Sequence, residues 1–249
     1  MTKLRLNKIL AQAGLTSRRG ADQLILDGRV AINGAVTREP GTVADPALDR
    51  IVVDGRPLPP AEALHYLMLH KPPGVVSTVR DPQGRAVVTD LLPREVRARV
   101  YPIGRLDADV EGLLLLTNDG ALTHRLLHPR YELPRVYEAE VAGRVSAADL
   151  PRWRRGVTLD DGPAAPLAVE LLRGGADTSR LRLTFTEGRK HEVKRYCEAL
   201  GHRVQRLQRV AFGPIALGAL APGACRPLTH HEIASLRAAG GAPIMPGTQ

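Results

Sequence analysis

The chain of 249 residues is poor in aromatic side chains, lysine, cysteine and long apolar runs, and each shortage excludes something. Phe, Trp and Tyr make up 3% of it, too few for a surface that reads single strands mainly by stacking bases on exposed rings. The two cysteines, Cys197 and Cys225, cannot build a disulfide framework, and without paired histidines nearby they make no structural zinc site. The longest unbroken aliphatic run, Leu113 to Leu116, falls far short of the roughly 20 residues that span a bilayer. The opening stretch MTKLRLNKILAQAG mixes charges into its apolar positions and lacks the apolar core of about 7–15 residues that a secretory signal needs. A cytoplasmic protein that works without a membrane is expected.

What the chain does have is positive charge. Lys and Arg number 35 against 26 Asp and Glu, for a net charge of +9 and a pI near 10.1. Such a balance points to a polyanion, nucleic acid before an acidic membrane surface. Of the cations 30 are Arg and 5 are Lys; arginine suits bidentate phosphate contacts, but a G+C-rich genome produces the same bias. The charge is uneven: residues 1–60 carry +3, residues 187–209 carry +4, and the other 166 residues only +2. With 43% hydrophobic residues the chain can bury an ordinary core, and its length fits one large domain or two with a small module appended.

The first 60 residues read as a small α+β module. Leu6, Ile9, Leu10 and Ala13 fall at helical spacing before Gly14. Ser17 is the expected N-cap of a second helix that turns Ala21, Leu24 and Ile25 inward and closes at Gly28. Val30 and Ile32 then alternate up to Asn33-Gly34, a strong hairpin signal, and a strand over Ile51 to Val53 ends at Asp54-Gly55. Pro57-Leu58-Pro59-Pro60 reads as part of a linker over about 56–63. Arg18 and Arg19 occupy the first turn of the second helix, where the helix dipole disfavours cations, so a use outside the helix is expected. With Arg5, Lys8 and Arg29 they could form one phosphate-binding face. The stretch LRLNKILAQAGLTSRRGADQLILDGRVAINGAV resembles the S4 RNA-binding domain over most of residues 4–56, in both the double-arginine helix start and the Gly-Arg-Val-x-Ile-Asn-Gly turn. The resemblance implies recognition of structured RNA by shape and backbone.

From 64 to 237 the sequence is richer in strand signals. Strands are expected over Tyr66 to Leu69 before the turn Lys71-Pro72-Pro73-Gly74, over Leu113 to Leu116, over Val136 to Val141 and through Leu181, Leu183 and Phe185. Helices fit Ala121 to Leu127 and Lys190 to Leu200, the latter with Val193, Cys197 and Leu200 on one face. The tail 238–249 is expected to be disordered.

GRLDADVEGLLLLTNDG, residues 104–120, places Asp107, Asp109 and Glu111 in a Gly-bounded loop that feeds a buried strand. Loops held by rigid structure are where catalytic groups tend to sit. Arg105 could pair with Asp107 and keep it ionised. Hydrated surface acids are the plainer reading, and with no histidine or phosphate-binding glycine loop nearby no metal site is expected. His124 and His128 have zinc-protease spacing, but Arg125 stands where that motif needs glutamate. His230-His231 reads as ordinary surface.

The 104–120 stretch is similar to the catalytic signature of pseudouridine synthases of the RsuA/RluB-type branch. HKPPGVVSTVRDPQGRAVVTDLLP (70–93), RVYEAEVAG (135–143) and EGRKHEVKRYCEALGHRVQRLQRVAFGPIALGALAPGACRPLT (187–229) resemble its other segments in order. The resemblance implies an α+β chain: an S4 domain over 1–60, then a catalytic domain over 64–237 with a mixed, mostly antiparallel sheet and flanking helices. It implies isomerisation of a uridine in ribosomal RNA, free or in a pre-ribosomal particle, by a monomer that uses no cofactor. Asp107 would be the catalytic carboxylate, Tyr137 would pack on the flipped uracil, Val193 would be its apolar platform and Lys194 the cation paired with Asp107. Arg105 would fill the space that the extruded nucleotide leaves, and Arg189 and Lys190 would contact the substrate. Val110 departs from the usual Thr or Ser, and Arg135 from the usual Lys before the tyrosine. The carboxylate either adds to C1′ or removes the 2′ proton, and both routes stay open. Large-subunit RNA is the favoured target. The same reaction on 16S rRNA and a non-catalytic S4-type RNA-binding protein are the alternatives.

Overall fold

A computed structural model describes residues 3–241. Residues up to Leu64, together with Arg97–Arg99, form one compact unit and the remainder another. In the first unit, α1 (Leu6–Gln12) and α2 (Arg18–Leu26) pack over a small antiparallel sheet of β1 (Val30–Ile32), β2 (Ala35–Thr37) and β3 (Ile51–Val53). Ser17 caps α2, its Oγ accepting from the Gly20 N–H at 3.0 Å. Both two-residue turns, Asn33-Gly34 and Asp54-Gly55, have positive φ throughout, the geometry that a tight hairpin demands. Leu6, Ile9, Leu10, Ala21, Ile25, Val30 and Ile51 make the core. Arg56–Pro57, expected in the linker, instead pairs with Val52 and Val53 at the sheet edge, and the Leu58 N–H donates to Ile51 O.

The second unit is built on a nine-stranded sheet. Its main path runs β6 (Ala168–Arg173), β7 (Thr178–Phe185), β5 (Arg135–Ala142), β8 (Val204–Phe212), β4 (Glu111–Thr117), an adjoining strand Tyr66–Lys71, and Cys225–Pro227. All neighbours are antiparallel except β8 and β4, which run parallel with Arg209 opposite Gly112. Gly112 sits at φ 115°, and a Cβ there would lie 2.3 Å from Arg209 O, so only glycine lets the two backbones meet. The unbroken leucine run has a two-sided explanation: Leu114 and Leu116 face one core, Leu113 and Leu115 the other.

Helix α3 (Gly120–Leu127) is capped by Asp119, and α4 covers Glu192–Ala199. The latter starts two residues later than the spacing suggested, because His191 adopts a left-handed conformation at φ 52°. The strand predicted to end at Leu69 continues through Lys71. A last helix, His230–Ala239, takes in Ala238 and Ala239 of the predicted disordered tail; 242–249 of that tail lie outside the described residues. Among the described residues no helix is long and apolar enough to cross a membrane.

Candidate active site

The loop from Gly104 to Val110 is anchored by its own apolar residues. Leu106 and Val110 are buried on either side of Asp107, and the Val110 N–H closes a turn onto Asp107 O at 3.1 Å. Ser77 donates from Oγ to Leu106 O at 2.8 Å and accepts from the Leu106 N–H at 3.0 Å, while the Gly74 N–H donates to Ala108 O at 2.7 Å. Lys71 is wholly buried behind the loop. Its Nζ donates to the carbonyls of Val110 (2.8 Å), Pro72 (2.9 Å) and Ala108 (3.1 Å). Burial pushes this ammonium down to about 8, against the opposing pull of Asp109, Asp107 and Glu111. The loop backbone is thereby fixed from beneath.

Asp107 stands on this support at one wall of an open cleft of about 940 Å³, its side chain one-third exposed. His191 Nε2 is 3.5 Å from one carboxylate oxygen and Lys194 Nζ is 3.9 Å from the other, and neither makes a hydrogen bond to it. The expected Asp107–Lys194 pair is therefore loose, because the ammonium is engaged elsewhere, 2.7 Å from each oxygen of Asp109. The Lys194 hydrogen bond holds the Asp109 carboxyl below its ordinary range. Arg105 is exposed on the cleft rim and makes no ion pair with Asp107 among the described residues, contrary to the suggested pairing. Glu111 turns away into a bond with Arg206 at 2.5 Å. Asp107 and Asp109 thus share Lys194 unequally while Glu111 has a partner of its own, and among the described residues no group of His, Cys, Asp and Glu is placed to hold a metal.

Tyr137 and Arg135 project from alternate positions of β5 into the same cleft, and Val193 lines it from α4. Arg135 is half-buried and donates through one nitrogen to the carbonyls of Thr186 (2.5 Å), Glu187 (3.0 Å) and Leu133 (3.3 Å). Burial lowers its pKa from the ordinary arginine value. Phe212 receives its guanidinium and that of buried Arg209, at 5.5 and 5.4 Å from the ring centre. Sequence reasoning missed Lys71, His191, Arg209 and Glu192 in this site. Glu192 is buried on the cleft wall, and desolvation raises its carboxyl pKa. The Lys-Pro-Pro-Gly segment did flag Lys71, though only as a turn.

The expected RNA contacts divide. Arg189 has its donors occupied by Glu187 (2.8 Å), Asp161 (3.1 Å) and Glu192 (3.3 Å) and by the carbonyls of Gly162 and Pro163. Lys190 is exposed, lines the cleft and has no ion pair among the described residues. In the first unit Arg5, Arg18 and Arg19 are exposed and Lys8 half-exposed, and none is ion-paired among the described residues. Arg29 is held by Asp54 at 2.6 Å. His124 and His128 pack ring against ring at 5.6 Å.

Residues 65–199 match the family model for RNA pseudouridylate synthase, and residues 4–47 match the S4 domain. An uncharacterized RNA pseudouridine synthase of Aquifex aeolicus is 46% identical over 247 residues, covering 99% of this chain and 98% of that protein. The ribosomal large subunit pseudouridine synthase B of Bacillus subtilis is 43% identical, covering 94% of this chain and 96% of its own. A crystal structure of a pseudouridylate synthase superposes with a TM-score of 0.66 at 31% identity, over 94% of this chain and 99% of that one. The chain belongs to the RNA pseudouridylate synthase family and carries an S4 domain in its N-terminal unit.

Proposed function

We propose that this protein converts one uridine of large-subunit ribosomal RNA into pseudouridine, with Asp107 as the catalytic carboxylate. The observation that carries the role of Asp107 is its placement: a carboxylate without a side-chain hydrogen bond, on a backbone pinned by Lys71 and Ser77, facing the cleft. The choice of large-subunit RNA is supported by the name of the Bacillus subtilis relative.

In the reaction the C1′–N1 bond breaks, the base turns and C5 bonds to C1′. The proton on C5 is lost and N1 gains one, so substrate and product are isomers and the balance calls for no co-substrate. Asp107 either adds to C1′ and is displaced, or takes the 2′ proton and returns it. Tyr137 packs against the uracil, Val193 gives it an apolar seat, and Arg105 occupies the stack that the uridine leaves. His191 and Lys194 supply positive potential beside the reacting carboxylate. Lys190 holds the strand near the cleft. Arg5, Lys8, Arg18 and Arg19 grip RNA backbone from the S4 domain. Arg29 and Arg189, bound by acids of their own, keep those surfaces in shape.

Pseudouridines mapped in rRNA from a deletion strain test the reading. One large-subunit site should vanish and return with the wild-type gene but not with Asp107→Asn. A lost site in small-subunit RNA would move the target to that subunit, and unchanged rRNA would sink the proposal. Tritium release from C5-labelled uridine in RNA, by wild type and not by the variant, separates an isomerase from a passive binder.

A further inference from the structure

We infer that Asp109 is a positioning residue that holds Lys194 off Asp107 in the RNA-free protein, leaving the Asp107 carboxylate without a hydrogen-bonding partner. The inference rests on the reading of Asp107 as the reacting group. Lys194 Nζ lies 2.7 Å from both oxygens of Asp109 but 3.9 Å from Asp107, although it is 22% exposed. Asp109 itself is 73% exposed, close to the cleft that takes RNA on the proposed reading. An acid there repels phosphate, so its presence calls for an offsetting use.

Clamping Lys194 is such a use. A carboxylate that accepts a direct ammonium hydrogen bond loses basicity and nucleophilicity, whereas one with a cation a step away keeps both and still feels its field. Around Asp107 the cleft carries Lys194 and Glu192 from α4, His191, Lys190 and Arg189 just before it, Arg105 from the Asp107 loop, Tyr137 and Arg135 from β5 and Arg209 from β8, with Lys71 beneath the loop. Lys194 is the one among them that bonds to Asp109. Removing Asp109 therefore changes where this ammonium rests.

Carbon-13 titration of the Asp107 carboxyl in the intact, RNA-free protein reads this directly. Four proteins are compared: wild type, Asp109→Asn, Lys194→Met and the double variant. Deleting the Asp109 charge lowers the Asp107 pKa in either background. Relocation of Lys194 adds a second drop only where that lysine is present, so the Asp109→Asn drop should be about twofold larger in wild type than in Lys194→Met. Equal drops, or none, would overturn the inference. With RNA, Asp109→Asn should lower kcat about 3–10-fold and move the acid limb of the pH profile downward, and Asp109→Glu should restore both. The titration needs no turnover. An inactive wild type would thus count against the proposed function, while equal drops would count against the positioning role alone.

Discussion

The ammonium of Lys71 binds three carbonyl oxygens, and two of them, on Ala108 and Val110, belong to the loop that carries Asp107. Replacing it by Met takes a donor from each of these carbonyls, leaving Ala108 O with the Gly74 N–H, and frees the loop to shift. A displacement near 1 Å is enough to lower kcat/KM about 100-fold, and Lys71→Met should do so with RNA affinity little changed. Its titration has a sign that can be checked. The folded protein releases this proton near 8 and the unfolded chain near 10.5, so the folded state binds fewer protons between them. The stability penalty of the buried charge is full below about 8 and is relieved as pH rises toward 10.5. Wild type should therefore gain stability relative to Lys71→Met across that window, measured by urea unfolding; parallel curves would refute it. Burial of Cys225 and Cys197 pushes their thiols up to about 11 and about 12, but both proteins share them and the difference cancels. The sequence pattern marked the loop of Asp107, Asp109 and Glu111, acids between glycines before an apolar run, and the resemblance alone nominated Asp107 among them. The Lys71 contacts were not legible, because they join residues about 40 positions apart.

At the scale of elements, α4 is tied to the hairpin of Val157–Leu159 and Gly162–Ala164 by acids at its tip. Arg195 bonds Asp160 and Asp161, and Arg189 reaches the same tip while holding Glu192. This strut sets the start of the helix that presents His191, Val193 and Lys194. Strand and helix positions were largely readable from apolar spacing. The start of α4 was not, since a left-handed histidine leaves no mark on periodicity. Arg189 and Lys190, neighbours in sequence, should then behave differently. Lys190→Ala should weaken RNA binding and reduce the slope of log affinity against log salt by about 1, with unfolding unchanged. Arg189→Ala should leave that slope alone and lower the thermal midpoint by a few degrees. The reverse pattern would return Arg189 to the RNA surface.

For the whole molecule, the net charge of +9 overstates what is available to RNA. In the block 187–209, Arg189, Lys194, Arg195 and Arg206 are matched by acids, and Arg209 is buried. Sequence counting located the excess correctly but could not see that Glu111, Asp160 and Asp161 would come back to meet it. The S4 domain is the contrasting case, with Arg18 and Arg19 exposed at a helix start and without an ion pair among the described residues. Arg18→Glu with Arg19→Glu should raise folding stability by a few tenths of a kcal/mol, since acids suit that end of the helix. RNA affinity measured by filter binding should fall at the same time. Lower stability with affinity intact would show that these arginines serve the fold.

The parallel contact of Glu111 and Gly112 with Gln208 and Arg209 also sets a time order. It closes a loop of nearly a hundred residues, and contacts so remote in sequence are slow to form. As the chain leaves the ribosome, the Asp107 loop emerges well before the helix and strand that complete its surroundings. Asp107 is therefore made early while His191 and Lys194 arrive late, so on the proposed reading the growing chain can bind RNA through its first unit but should not isomerise uridine until its second half has docked. Amide exchange at Gly112 and Arg209 would date that moment.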